Sequence, residues 1–93
     1  MKICDIATAG SENPSDAFVT LTPNSETGIK IVLTGKPVIL KQFGDLMKSV
    51  IEETVNKMGL EDVIVEVKDN SALDYVIRAR VIAAAKRATK ERR

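Results

Sequence analysis

The side chains best suited to chemistry lie in a short polar segment near the start of the chain. Residues 7–16 read Ala-Thr-Ala-Gly-Ser-Glu-Asn-Pro-Ser-Asp and supply two hydroxyls, Ser11 and Ser15, with Asp16 directly after the second. Because Gly, Ser, Asn and Pro each favour turns, the segment predicts an exposed, mobile loop over about residues 10–16. A loop serine beside an acidic residue is suited to accept a covalently attached group.

The remaining side chains offer little for a conventional active site. The chain has no histidine, so it has no imidazole base and no Ser/His or Cys/His pair. The single cysteine, Cys4, excludes ordinary zinc sites, and the scattered glycines form no phosphate-binding loop. We interpret Cys4 as a small apolar residue in a strand, and the adjacent carboxylates of Glu52 and Glu53 as solvated surface. The sequence therefore predicts a protein that is not itself an enzyme and that holds no metal.

Composition indicates one ordinary globular domain. The chain has 93 residues, of which 44% are hydrophobic and 29% charged, so we expect a single domain over residues 1–93. The net charge of +1 provides no general attraction for nucleic acid or for a membrane. No signal peptide follows Met1, and no apolar run approaches the length of roughly 20 residues that spans a bilayer. A single cysteine forms no internal disulfide, which favours a cytoplasmic location.

Alternating apolar and polar residues predict about four strands. Residues 2–9 predict a short edge strand, and the runs 17–22, 29–34 and 63–68 each predict a strand with one buried face. The polar turn at residues 23–28 favours an antiparallel hairpin of the second and third strands. The sequence therefore predicts a mostly antiparallel sheet.

Two longer segments have apolar residues spaced three and four apart, as helices with one packed side do. The first begins near Pro37, which suits a first helical turn, and ends before Gly59, which suits a left-handed helix end. Its predicted apolar stripe comprises Ile39, Phe43, Leu46, Met47, Val50, Ile51, Val55 and Met58. The second covers about residues 72–88, and Ser71 and Asp74 have the spacing of a capping box at its start. Its predicted packing side comprises Leu73, Val76, Ile77, Ala83, Ala84 and Ala88.

This order of elements, β-β-β-α-β-α, predicts an α+β fold. We expect a two-layer sandwich in which two helices cover one face of a mostly antiparallel sheet. We interpret the basic tail at about residues 86–93 as a solvated helix end, because cationic side chains are stabilised near the negative pole of the helix dipole. Contact of the tail with a partner subunit is the alternative. The tail is short and lacks interleaved aromatic residues, so we expect no role in binding nucleic acid.

Three stretches of the chain resemble one known family. Residues 9–16, Ala-Gly-Ser-Glu-Asn-Pro-Ser-Asp, resemble the family motif Ala-Gly-x-x-Glu-Ser-Ser/Gly-Asp, which precedes its first hairpin strand. Residues 42–44 match its Gln-Phe-Gly, and residues 69–80, Asp-Asn-Ser-Ala-Leu-Asp-Tyr-Val-Ile-Arg-Ala-Arg, resemble its Asp-x-Gly-Ala-Leu-Asp/Glu-Cys-x-x-Arg-Ala-Arg. On these motifs the chain is similar, from residue 2 to about 88, to the citrate lyase acyl carrier protein (gamma chain) family.

The resemblance implies the chemistry of a carrier subunit. Family members hold a 2'-(5''-phosphoribosyl)-3'-dephospho-CoA group on a loop serine through a phosphodiester, and its thiol carries acetyl and then citryl. The citrate lyase alpha subunit exchanges the acyl groups, the beta subunit cleaves the citryl thioester, and a prosthetic-group transferase loads the serine. The resemblance thus implies an acyl carrier subunit of citrate lyase, a cytoplasmic protein of citrate fermentation.

The attachment serine is the place where this chain departs from the family pattern. When the motifs are aligned on Asp16, the family's modified serine falls at Pro14, which has no hydroxyl. Ser15 is the nearest hydroxyl and our predicted attachment site, Ser11 is the alternative, and loss of the site is a third interpretation. Pro14 restricts the backbone of Asn13 and thereby favours an outward-facing Ser15.

Two other functions stay open. The acyl carrier subunit of malonate decarboxylase uses the same kind of prosthetic group on a similar small chain, and a non-carrier module of this fold would bind a protein through its sheet or its basic tail.

The motif match predicts that Arg78 or Arg80 orients the loop or docks a partner, while the spacing of Asp74 and Arg78 predicts an ion pair between them. The surroundings of Ser71 are similar to the Asp-Ser-Leu attachment motif of ordinary phosphopantetheine carriers. Those carriers are acidic helical bundles, whereas this chain is near neutral and has strand patterns. We therefore interpret Ser71 as a helix cap and not as an attachment site.

Overall fold

The computed structural model describes residue 3 and residues 5–89. Within them, four strands and two helices follow one another in the predicted order. They are β1 Ala7–Gly10, β2 Asp16–Pro23, β3 Lys30–Thr34, α1 Pro37–Lys57, β4 Val63–Asn70 and α2 Asp74–Ala88. The strands form one sheet in the order β1-β2-β4-β3. An edge strand is present as predicted, but its bounds were wrong, because β1 covers Ala7–Gly10 and residues 3, 5 and 6 lie outside any strand.

The sheet has one buried face and one open face, because side chains alternate along each strand. Val19 and Leu21 of β2 and Val65 and Val67 of β4 are at most 1% exposed, whereas Glu66 on the other face is exposed. Helices α1 and α2 cover the buried face, where apolar side chains of both layers form one core. Each fully buried side chain of this size stabilises the fold by about 1.5–3 kcal/mol. The predicted α+β two-layer sandwich is confirmed.

The predicted hairpin of β2 and β3 is wrong. β4 lies between these strands, pairs antiparallel with β2 over all eight of its residues, and pairs parallel with β3. Parallel strands need a crossover connection, and α1 supplies it between β3 and β4. The polar turn that suggested a hairpin is held instead by Asp62, whose backbone oxygen accepts the Asn24 N–H and whose carboxylate accepts the Gly28 N–H, each at 2.8 Å.

Helix α1 begins and ends where the sequence predicts, but two of its apolar residues are not in the core. Pro37 occupies the first turn, and Gly59, with φ 71°, adopts the left-handed conformation just beyond the end. The buried part of the stripe comprises Met47, Val50, Ile51 and Val55. Phe43 and Leu46 are 47% and 59% exposed, because they line an open groove rather than facing the sheet.

Helix α2 begins two residues later than predicted, and Ser71 is not its cap. Leu73 occupies the N-cap position without a side-chain hydrogen bond, and Ser71 lies upstream of it with φ 65°. The carboxylate of Asp69 instead accepts the N–H groups of Ser71 at 3.2 Å and Ala72 at 3.0 Å. Asp69 therefore shapes the bend before α2, and β4 extends to Asn70, two residues beyond the predicted run 63–68.

The buried side of α2 differs in part from the predicted one. It comprises Ile77, Val81, Ala84, Ala85 and Ala88. Leu73 precedes the helix and is 58% exposed, so it does not pack in the core as predicted. No helix among the described residues is long and apolar enough to cross a membrane.

The basic end of α2 is bound in part to the sheet edge. Lys86 and Arg87 lie in its last turn, and Nη1 of Arg87 donates to the carbonyl oxygen of Thr8 in β1 at 2.6 Å. Residues 90–93 and Cys4 lie outside the described residues. The predicted roles of Cys4 and of the end of the tail therefore stay predictions.

Candidate attachment site

The two candidate serines lie in the tight connection between β1 and β2. Residues 11–15 link the antiparallel strands, in which Gly10 lies opposite Phe18. Gly10 has φ 94°, and a Cβ at this position would lie 1.9 Å from the carbonyl oxygen of Ala17. Only glycine fits this start of the loop, because any other side chain adds both a disfavoured backbone conformation and a backbone overlap.

A salt bridge between Asp16 and Arg80 holds the base of the loop. Arg80 Nε lies 2.9 Å from Oδ1 of Asp16, and Nη2 lies 3.0 Å from Oδ2, so the pair is bidentate. The same carboxylate accepts the N–H of Ala17 and the hydroxyl of Ser11, each at 2.7 Å. Bidentate, charge-assisted bonds of this kind fix geometry more firmly than neutral ones. The pair therefore ties the first residue of β2 to α2.

Ser11 belongs to the internal hydrogen-bond network of the loop. Its hydroxyl donates to Asp16 Oδ2 at 2.7 Å and accepts the N–H of Asn13 at 3.2 Å. The residue is half-buried. Esterification of Ser11 would remove the hydroxyl proton that bonds to Asp16 and would displace Oγ from the Asn13 N–H.

Ser15 has a fixed backbone and a free hydroxyl. Its φ of 66° is left-handed, which is uncommon for a residue with a Cβ, and its N–H donates to the carbonyl oxygen of Asn70 at 2.7 Å. The residue is exposed, and within the described part of the chain its Oγ has no hydrogen-bond partner. The predicted outward orientation of Ser15 agrees with this geometry.

Asn70, the last residue of β4, holds the loop from the other side. Besides accepting the Ser15 N–H, it donates from Nδ2 to the carbonyl oxygen of Glu12 at 2.7 Å. A turn closed by the Asp16 N–H and the Asn13 carbonyl oxygen, 3.1 Å apart, completes the network. The backbone is thus held at both ends of the loop.

The salt bridge also lowers the pKa of the Asp16 carboxyl group. The hydrogen bond from Arg80, followed by those from the Ser11 hydroxyl and the Ala17 N–H, lowers the pKa of Asp16 from 3.8 to about 2. Asp16 is the acceptor nearest to the Ser11 hydroxyl, yet so weak a base is poorly matched to removing its proton at neutral pH. Asp16 therefore acts as an anchor of the loop.

Acid should weaken the fold through this anchor. Because the pKa of Asp16 is lower in the folded chain, its stabilising effect is complete above pH 3.8 and is lost as the pH falls toward about 2. We expect Asp16→Asn and Arg80→Met each to reduce the pH dependence of stability in this window, relative to the unsubstituted chain. Urea unfolding followed by circular dichroism between pH 2 and pH 5 measures it. Unchanged pH dependence in both variants would contradict the role of the pair.

The predicted ion pair between Asp74 and Arg78 is absent from the described residues. Asp74 Oδ1 accepts the Tyr75 N–H at 2.8 Å, and the arginine that binds the loop is Arg80. Of the two arginines that the motif match singled out, Arg80 therefore is the one that orients the loop. The role of Asn70 was missed, because nothing in its own neighbourhood in the sequence indicates a partner 58 residues away.

An apolar groove opens between α1 and the segment before α2. It has a volume of about 290 Å³ and is lined by Ile39, Phe43, Leu46, Met47, Ser71, Ala72, Leu73 and Asp74. Two of the motifs that resemble the family, residues 42–44 and 69–80, therefore meet at this groove. No group of three His, Cys, Asp or Glu side chains that could hold a metal occurs in the described part of the chain.

Comparison with known proteins places the chain in a family. A profile of the acyl carrier family described as "Malonate decarboxylase delta subunit (MdcD)" matches residues 5–88. The "Citrate lyase acyl carrier protein 2" of Salmonella typhimurium is 41% identical over 91 residues, which is 98% of this chain and 92% of that protein. The chain belongs to the citrate lyase acyl carrier protein family.

Further members of this family from other organisms match over nearly the full chain. The citrate lyase acyl carrier protein of Halothermothrix orenii is 42% identical over 97% of this chain and 93% of its own length. That of Lacticaseibacillus casei is 45% identical over 96% of this chain and 85% of its own length. The family resemblance that the three motifs predicted is confirmed.

Proposed function

We propose that the chain is the acyl carrier subunit of a citrate lyase and that it bears a phosphoribosyl-dephospho-CoA arm on Ser15. The observation that carries the proposal is the exposed Ser15 hydroxyl, which has no hydrogen-bond partner among the described residues and lies at the end of a loop whose backbone is held by hydrogen bonds. The family supports the carrier role, and the proposed location is the cytoplasm.

The residues of the loop fit a phosphodiester-linked group. An arm on Ser15 would extend into solvent without breaking a side-chain hydrogen bond, whereas an arm on Ser11 would break the bond to Asp16. Attachment would form a bond between Ser15 Oγ and the 5''-phosphorus of a donor activated by a phosphoanhydride at that phosphorus. The phosphoanhydride bond would break, its phosphate-containing leaving group would depart with the bonding electrons, and the hydroxyl proton would pass to solvent or to the transferase. Asp16 is already paired with Arg80, so the base for this step would come from the transferase.

The chain itself would supply position rather than catalysis. The arm, when bound, provides a thiol that holds acetyl or citryl as a thioester. The salt bridge of Asp16 and Arg80 and the hydrogen bonds of Asn70 would keep the attachment point at one place, at the end of the sheet where β1 meets β2. Tethering in this way keeps the acyl group at high effective concentration near the alpha and beta subunits. The predicted mobility of the loop over about residues 10–16 stays a prediction, because hydrogen bonds hold the backbone at Glu12 and Asn13.

Intact mass tests the carrier function. We expect the chain purified from its native host to be heavier by one phosphoribosyl-dephospho-CoA unit, and the chain produced without the modifying enzymes to have its bare mass. Incubating the loaded chain with an acetyl thioester donor and the alpha subunit should transfer one acetyl group to the arm's thiol, release the donor's thiol, and give a thioester that hydroxylamine cleaves. A native protein without added mass would refute the carrier function.

The malonate decarboxylase carrier is the second candidate, because a profile with that description matches residues 5–88. The two candidates share the arm and differ in the subunits that act on it. Presenting the loaded chain to citrate lyase subunits with citrate, and to malonate decarboxylase subunits with malonate, distinguishes them. We expect turnover with the citrate lyase subunits, and turnover only with the malonate decarboxylase subunits would reverse the assignment. A non-carrier interaction module would stay unmodified in its host.

A further inference from the structure

A second hollow adjoins the loop on the side of β3 and β4. It has a volume of about 330 Å³ and is lined by Glu12, Gly35, Lys36, Lys68, Asp69 and Asn70. Asn70 and Glu12 belong both to this hollow and to the hydrogen-bond network that holds the loop. The hollow, called the lysine hollow below, therefore begins directly beside the backbone of Ser15, whose N–H donates to Asn70.

The fold brings the two lysines of the lysine hollow together from distant parts of the sequence. Lys68 of β4 lies opposite Thr34 of β3 in the parallel register, and Lys36 follows two residues after Thr34. Gly35 packs closely on β4, since a Cβ at this position would lie 3.2 Å from the Asp69 carbonyl oxygen. This close approach places Lys36, the next residue along the chain, beside the end of β4.

Within the described part of the chain, the two lysines of the lysine hollow are not paired with an acidic side chain. Neither Lys36 nor Lys68 forms an ion pair with any residue that the structure describes. Asp69 is only 7% exposed, and its carboxylate is occupied by two backbone N–H groups before α2. Of the two carboxylates that line the hollow, only that of Glu12, which is exposed, has no hydrogen-bond partner among the described residues. The first turn of α1, which follows Lys36, contains no acidic residue to offset the positive pole of that helix.

We propose that the lysine hollow binds the diphosphate of the nucleotide arm. This inference rests on the proposed attachment at Ser15, and it assigns the hollow an anionic ligand of the nucleoside diphosphate class. Lys36 and Lys68 place two ammonium groups, unpaired among the described residues, beside the attachment point. Their positive charge complements the negative charge of the diphosphate in the arm. Holding that part against the carrier leaves the pantetheine end, which bears the thioester, free to enter partner active sites.

Titration of the unloaded, 15N-labelled chain with ADP tests the hollow without relying on activity. We expect amide shifts concentrated at residues 35–36 and 68–70. Lys36→Gln and Lys68→Gln should each weaken ADP binding about two- to fivefold, because each removes one exposed charge interaction. Glu12→Gln should strengthen it by a similar factor, since it removes the opposing charge. The matched control is Lys48→Gln, which removes an exposed lysine of α1 outside the hollow.

The outcomes separate this inference from the proposed function. Equal weakening by all three lysine variants, or shifts away from the lysine hollow, would overturn the inference. Loading the chain should shift the same amides, and a chain that gains the mass of the arm without these shifts would refute the hollow while leaving the carrier function intact. A chain that gains no mass would refute the carrier function, and the ADP titration would still decide whether the hollow binds a diphosphate.

Discussion

Replacing Ser15 by alanine should abolish attachment of the arm, whereas replacing Ser11 should leave it attached. Ser15 presents an exposed hydroxyl that is unpaired within the residues the structure describes, while the Ser11 hydroxyl is bonded to Asp16 and Asn13. We expect complete loss of the added mass in Ser15→Ala after production with the transferase. Ser11→Ala should keep that mass and lose about 0.5–1.5 kcal/mol of stability with its hydrogen bonds.

Fragment masses of the loaded chain and a further variant sharpen this test. The added mass should map to the peptide that contains Ser15, and Ser15→Ala should unfold at nearly the same urea concentration as the unsubstituted chain, because its side chain makes no internal bond. In the double variant Pro14→Ser with Ser15→Ala, the hydroxyl returns to the family's own position, and we expect attachment to be restored. Full loading of Ser15→Ala combined with a bare Ser11→Ala would assign the site to Ser11 instead.

Gly10→Ala should be the most destabilising single substitution near the loop. The new Cβ would lie 1.9 Å from the Ala17 carbonyl oxygen and 3.1 Å from Arg80 Cδ, in a backbone conformation of φ 94°. Left-handed strain and forced movement of β2 together should cost roughly 3 to 5 kcal/mol. The loop anchor would move with β2, so we also expect slower loading of Ser15.

Gly28→Ala is the matched control for this substitution. Gly28 has φ 104°, but a Cβ there would meet no atom within 4 Å. It therefore carries the conformational strain without the overlap, and we expect a loss of about 1 to 2 kcal/mol. Urea unfolding of both variants measures the difference. Equal losses would show that the backbone contact at Gly10 adds nothing to the strain.

The layers of the fold could be predicted because they follow local patterns. Alternation in residues 17–22 and 63–68 identified strands whose apolar sides are buried, and Pro37 and Gly59 marked the ends of α1. The pairing of the strands was not predictable in the same way. A polar turn between two alternating runs is typical of a hairpin, and only the whole sheet shows that β4 occupies the intervening position.

The candidate site could be predicted only in its local part. The motif pointed to Ser11, Ser15 and Asp16, and turn-forming residues indicated the loop that holds them. The partners of that loop lie far along the chain: Arg80 is 64 residues from Asp16. The cap assigned to Ser71 failed for a related reason, since a serine before a helix is a common N-cap but Asp69 already satisfies the local N–H groups.

The central position of β4 has a consequence for biosynthesis. During translation, the serine-bearing hairpin emerges from the ribosome long before the strand that joins it to β3. Of the two residues that fix the hairpin, Asn70 is the last residue of that strand, and Arg80 emerges later still. A nascent or truncated chain therefore displays its serines on an unformed surface, and a transferase that recognises the finished surface would load only completed molecules.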